Sequence, residues 1–147
     1  MVTTGLEDRA FPTADPDTPA AFFAGCPEGM AVYSAVRRLL DELGPVEERV
    51  TRSHVAFVRG RGFAYLWRPG RWLRRPDAEV VLSFALDRPL TATRIKEVVH
   101  PAAKVWIHHV ELHRAGDVDA EVAGWLAEAH RQAIPRKPGR RSRRAGR

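Results

Sequence analysis

The segment Lys104-Val105-Trp106-Ile107-His108-His109-Val110-Glu111-Leu112-His113 gathers three of the chain's six histidines beside a glutamate. Imidazole and carboxylate groups bind transition metals and carry protons in catalysis, so this run is the first place to look for chemistry. Its geometry is restrictive. On a strand, alternate residues share a face, which sets Trp106, His108, Val110 and Leu112 on one side and Val105, Ile107, His109, Glu111 and His113 on the other. The first set is expected to face the core, with His108 as a hydrogen-bonded core histidine. On the outer face His109 and His113 then lie ~13 Å apart at ~3.3 Å per residue, too far to share one ion. The single cysteine and the lack of any other paired Cys or His cluster complete the case, and neither a metal nor a cofactor is expected.

Other reactive patterns are sparse. The chain has no GxGxxG, no phosphate-binding P-loop, no GxSxG around any serine and no HExxH. Cys26 precedes Pro27 at a helix start, where amide dipoles lower a thiol pKa, but no base is placed beside it and a small packed residue is expected. Pro76-Asp77 with Glu79 resembles the start of a nuclease metal motif without the acidic-x-Lys that completes one.

Two groups of candidate contact residues remain. Arg94, Lys96 and His100, in the stretch LTATRIKEVVHPAA, are expected near Arg52, His54 and His109, where a histidine- and arginine-lined pocket would bind a small molecule. From Arg59 to Arg75 run six arginines and no acid, interleaved with Phe63, Tyr65, Trp67 and Trp72. Arginine neutralises phosphate and exposed rings stack on unpaired bases, so Arg68, Arg71, Arg74 and Arg75 are candidate nucleic-acid contacts. Arg61 to Arg68 imitates the RNP1 octamer of an RNA-recognition motif, but Arg68 stands where an aromatic is required and the companion strand is missing. Under plain alternation Phe63, Tyr65 and Trp67 share one face, expected to pack against helices.

The elements that must position these residues follow from periodicity. Thr18-Pro19 signals a short helical turn carrying Phe22 and Phe23. Met30, Tyr33, Val36, Leu40 and Leu43 recur at three and four, predicting a helix over Pro27 to Leu43 that stops at Gly44-Pro45. Strands are predicted over Val50 to Val58 and Phe63 to Arg68, joined by Arg59-Gly60-Arg61-Gly62, over Glu79 to Asp87, and along the histidine segment. Residues 90–103 fit a short helix and an irregular crossing equally. Gly116-Asp117-Val118-Asp119 supplies a turn and the N-cap of a last helix with Val122, Trp125, Leu126 and Ala129 as its apolar stripe. The expected fold is α+β, a four-stranded antiparallel meander with the N-terminal and C-terminal helices packed on one face.

Length and charge bound the rest. A chain of 147 residues with 44% hydrophobic residues suits one domain. Residues 1–17 read as a poorly ordered arm, 18–135 as the compact domain, and 136–147 as a disordered basic tail. From Ile134 onward there are seven Lys or Arg and no acid, so this end carries +7 and the rest of the chain −1, for the net +6. Arg140, Arg141, Arg143 and Arg144 in that tail are candidate polyanion contacts. With no signal-peptide core and no run of ~20 apolar residues, a soluble cytoplasmic protein without membrane contact is expected, as a monomer or weak homodimer.

The runs FFAGCPEG, VTRSHVAFVRGRGFAYLW, RIKEVVHPAAKVWIHHVEL and AEVAGWLAEAH resemble a bacterial family known as domain of unknown function 5655, over about Ala21 to Ala133. The resemblance implies a small α+β domain with no established activity, and carries no functional residue. Two readings of function stand. One is a small non-catalytic binding module touching nucleic acid or another polyanion through its arginines and tail. The other is a small-molecule-binding or enzymatic domain with a pocket lined by the histidines and Arg94.

Overall fold

The computed structural model describes residues 18–69 and 80–133. Thr18 caps helix α1 (Pro19–Phe22), its hydroxyl accepting the Ala21 N–H at 3.1 Å. Helix α2 (Pro27–Leu43) follows, then strands β1 (Glu47–Val50), β2 (Val55–Arg59), β3 (Arg61–Trp67), β4 (Val80–Leu86), β5 (Ile95–Ala102) and β6 (Val105–Leu112), and helix α3 (Ala120–Gln132). The Asp119 carboxylate caps α3 by accepting the Val122 N–H.

All six strands form one antiparallel sheet in the order β1-β2-β3-β4-β6-β5. The α+β class and the antiparallel sheet are as expected; the strand number is not, since the sheet has six strands where four were expected. Each extra strand has a local cause. The predicted strand Val50 to Val58 is folded back on itself at Thr51, whose Oγ1 accepts the N–H groups of Ser53 and His54 and donates to the His54 carbonyl. That side-chain-stapled reversal separates β1 from β2. The unassigned stretch 90–103 contains β5, an edge strand exposed along almost its whole length, which therefore shows no apolar alternation. Because β5 sits outside β6, the chain leaves the meander after β4 and returns through the β5–β6 hairpin.

The core lies on one face of the sheet. Val32, Val36 and Leu40 of α2 and Val122, Leu126 and Ala129 of α3 pack there against Val55, Phe57, Leu66, Leu82, Phe84, Val110 and Leu112. His108 belongs to this face, as expected, fully buried and stacked on Phe84 with ring centroids 5.0 Å apart. Its Nε2 accepts the Leu90 N–H at 3.1 Å and its Nδ1 lies 3.4 Å from the Phe84 carbonyl, so it works as a neutral hydrogen-bonded bridge.

One expectation about faces is corrected. Phe57 pairs with Ala64 but Val58 pairs with Gly62, leaving Phe63 as an extra residue in β3. This β-bulge turns Phe63 into the core, 1% exposed and edge-on to His130. Tyr65 and Trp67 stay on the opposite face. The three rings therefore do not share a side.

Candidate functional site

The sheet's second face carries a transverse row set by strand register: Ala56 beside Tyr65, Tyr65 beside Ser83, Ser83 beside His109, and His109 beside Glu97. Trp67, Val81 and Glu111 form the next row on that side. Ser83 and Val81 lie outside the core cluster that the helices cover among the described residues, yet Ser83 is only 4% exposed and Val81 6%.

A hydrogen-bond chain fixes the rings of this face. Trp67 donates its Nε1–H to Ser83 Oγ at 2.8 Å, and Ser83 Oγ lies 2.6 Å from His109 Nδ1. While accepting the indole N–H, the buried hydroxyl can donate its own hydrogen to Nδ1. Nearby, Ser53 Oγ lies 3.1 Å from His54 Nδ1, and His54 stands edge-on to Tyr65 with centroids 5.3 Å apart. Burial pushes the pKa of both histidines down, with Glu97 partly opposing the effect at His109. Burial thus favours the neutral form of both.

Between them is a cleft of about 450 Å³ lined by His54, Tyr65, Trp67, Ser83, Ile107 and His109, with Ser53 at its margin. Among the described residues, none that lines it is charged. A smaller hollow of about 160 Å³ continues from Trp67 and His109 to Val81, Lys96, Glu97 and Glu111. Beyond it, Lys96 and Glu111 also border a polar cleft with Arg94, His113 and Asp117. There Arg94 is already held: its guanidinium donates to both Asp119 carboxylate oxygens at 2.9 and 3.0 Å, to Glu121 at 3.3 Å and to the Asp117 carbonyl at 2.8 Å. It ties the start of β5 to the start of α3. Among the described residues no three His, Cys, Asp or Glu side chains converge on a point that could hold a metal ion.

The six residues expected to share a pocket are thus divided. His54 and His109 line one cleft, and Lys96 stands where the smaller hollow meets the polar cleft. Arg94 is committed to its carboxylates. His100 lies at the far end of the β5–β6 hairpin, stacked on Trp106 at 3.9 Å with its Nε2 3.2 Å from the Ala103 carbonyl. Arg52 is exposed in the turn between β1 and β2. Of the arginines expected to meet phosphate, Arg68 donates to the carbonyls of Phe22 and Ala24, each at 3.3 Å. Arg71, Arg74, Arg75, Arg140, Arg141, Arg143 and Arg144 lie outside the described residues. Sequence reasoning left out Ser83, Ile107 and the outward-facing Tyr65 and Trp67 as pocket residues. The available signal was strand alternation, which puts Ser83, Ile107 and His109 on outward positions of β4 and β6.

An α+β domain with one sheet face closed by helices and the other holding a ligand-sized cleft is the class these features define. The chain belongs to the family described as Domain of unknown function (DUF5655), whose sequence model matches residues 20–133. No curated protein and no solved structure gives a significant match. No helix among the described residues is long and apolar enough to cross a membrane.

Proposed function

We propose that this domain is a small non-catalytic binding module whose ligand site is the uncharged cleft on the open sheet face. The observation that supports the reading is the convergence of Tyr65, Trp67 and Ile107 with two neutral imidazoles around a volume in the range of small-molecule sites. Apolar walls with a few polar groups are what such a site needs. The Ser83–His109 pair argues against nucleophilic catalysis, because the hydroxyl is nearly buried at mid-strand and already accepts the Trp67 N–H.

The test is an amide-resolved NMR screen of the full chain against a fragment library. Hits are expected to shift Tyr65, Trp67, Ser83, Ile107 and His109 together, and Ile107→Glu, which sets a charge in the cleft, is expected to abolish them. Hits that ignore these residues, or survive Ile107→Glu, refute the reading.

A polyanion contact has narrower support. Arg59 and Arg61 donate to the carbonyls of His130 and Gln132, and Arg68 to α1, so these three fasten the sheet to the helices. What favours the contact is the seven bases after Ile134. It is tested by anisotropy of labelled single-stranded RNA and DNA at two salt concentrations. Replacing Arg140, Arg141, Arg143 and Arg144 by Gln is expected to weaken binding and flatten its salt dependence.

A further inference from the structure

Resting on the cleft reading, we infer that the ligand is an uncharged planar heterocycle bearing hydrogen-bond acceptors at two edges, the pattern of a nucleobase or a similar carbonyl-bearing ring. One device occurs twice in the cleft. In the first copy Ser53 Oγ meets His54 Nδ1 at 3.1 Å and the imidazole stands at 79° to Tyr65. In the second, Ser83 Oγ meets His109 Nδ1 at 2.6 Å and the imidazole stands at 83° to Trp67.

The direction of each serine bond decides what the cleft presents. Ser83 accepts from Trp67, so its own proton goes to His109 Nδ1. Ser53 has two neighbours, but Thr51 Oγ1 already accepts the N–H groups of Ser53 and His54 and donates to the His54 carbonyl. The Ser53 proton is therefore left for His54 Nδ1. A neutral imidazole that accepts at Nδ1 carries its hydrogen on Nε2. Both histidines thus line the cleft as Nε2–H donors, and neither Nε2 has a hydrogen-bond partner among the described residues. A half-buried donor calls for an acceptor.

The remaining walls select the rest of the ligand. Tyr65, Trp67 and Ile107 offer flat apolar surface suited to a ring. Among the described residues no charged side chain lines this cleft, so an ionic group entering it loses hydration without a counter-charge from them. Burial of the imidazoles acts in the same sense, since it disfavours their cationic form.

The first test needs no ligand. Long-range proton–nitrogen NMR on the full chain at pH 7 is expected to show protonated Nε2 and unprotonated Nδ1 at both His54 and His109. Nδ1–H at either one overturns the inference. The second test titrates uridine, a short oligouridylate and indole, which is planar but has no acceptor, while following the two imidazole signals. Uridine or its oligomer is expected to shift both, the comparison telling a free base from one carried in a strand; indole is expected to bind at least about tenfold more weakly. Ser83→Ala, checked for an intact amide spectrum, is expected to weaken uridine binding about tenfold and indole binding by a smaller factor. If indole occupies the cleft as well as uridine does, the acceptor requirement falls while the cleft remains a ligand site. If no probe moves any cleft signal, the inference fails, and the fragment screen decides separately whether the cleft binds at all.

Discussion

Ser83 Oγ lies 2.6 Å from His109 Nδ1 while holding the indole N–H of Trp67 at 2.8 Å, so one small side chain orients two of the rings that line the open face. A serine can do this because its hydroxyl both donates and accepts. A residue lacking either capacity leaves one ring free to turn.

Ser83→Ala is accordingly expected to cost about 1–2 kcal/mol, since Trp67 Nε1–H and His109 Nδ1 both lose their partner in a water-poor setting. Urea denaturation measures the loss. An unchanged midpoint would show that the two rings are held by packing alone.

The bulge in β3 makes a second, contrasting pair. Phe63 is 1% exposed in the core, whereas Tyr65, two residues on, is half-buried on the other face. Phe63→Ala is expected to cost about 3–5 kcal/mol, the usual range for a buried ring, and Tyr65→Ala clearly less. Thermal unfolding of the two variants ranks them; equal losses would mean that both rings are core residues and the bulge assignment is wrong.

These contrasts mark how far the fold and the site were legible in the sequence. Both long helices, the facing of β4 and β6, and the Thr18 and Asp119 caps follow from local periodicity and side-chain chemistry, which the chain states plainly. The reversal at Thr51 was hidden because β-branched Val50 and Val55 flank it and read as one strand. Strand β5 was hidden for the opposite reason: it is exposed on both faces, so nothing alternates. Bulges leave no mark in a binary pattern, and the one at Phe63 inverted the expected facing of Tyr65 and Trp67. With that inversion unseen, the aromatic half of the cleft was invisible, and only its histidine half was named.

His108 gives a pH prediction. Burial holds its pKa below the ordinary imidazole value of about 6.5, as it does at His54 and His109. The folded state then binds fewer protons than the unfolded chain as pH drops below that value, so stability is full above it and declines with acidification. The urea midpoint is expected to fall between pH 7 and pH 5, ahead of any carboxylate titration. His108→Gln is expected to lower stability at pH 7 and to flatten that slope. A slope unchanged by the substitution would assign the acid sensitivity to other groups.

Gly62 supplies a test of how the cleft is shaped. A Cβ built on this residue would stand 2.9 Å from the Tyr65 ring carbon Cζ and still closer to the hydroxyl, so Tyr65 can lie where it does only because position 62 has no side chain. Gly62 is not held in the left-handed backbone region, which among the described glycines belongs to Gly25, Gly44 and Gly60, so alanine meets no conformational barrier there. The three atoms nearest to that Cβ all belong to the tyrosine. Gly62→Ala is therefore expected to push the ring aside at a cost of about 1–3 kcal/mol, the usual penalty of overpacking, and to disturb His54, which stands edge-on to that ring. A double-mutant cycle isolates the effect: in a Tyr65→Ala background the same substitution is expected to cost almost nothing, because the clashing atoms are gone. Should Gly62→Ala cost the same in both backgrounds, the glycine is required by the hairpin itself, and Tyr65 does not owe its position to it.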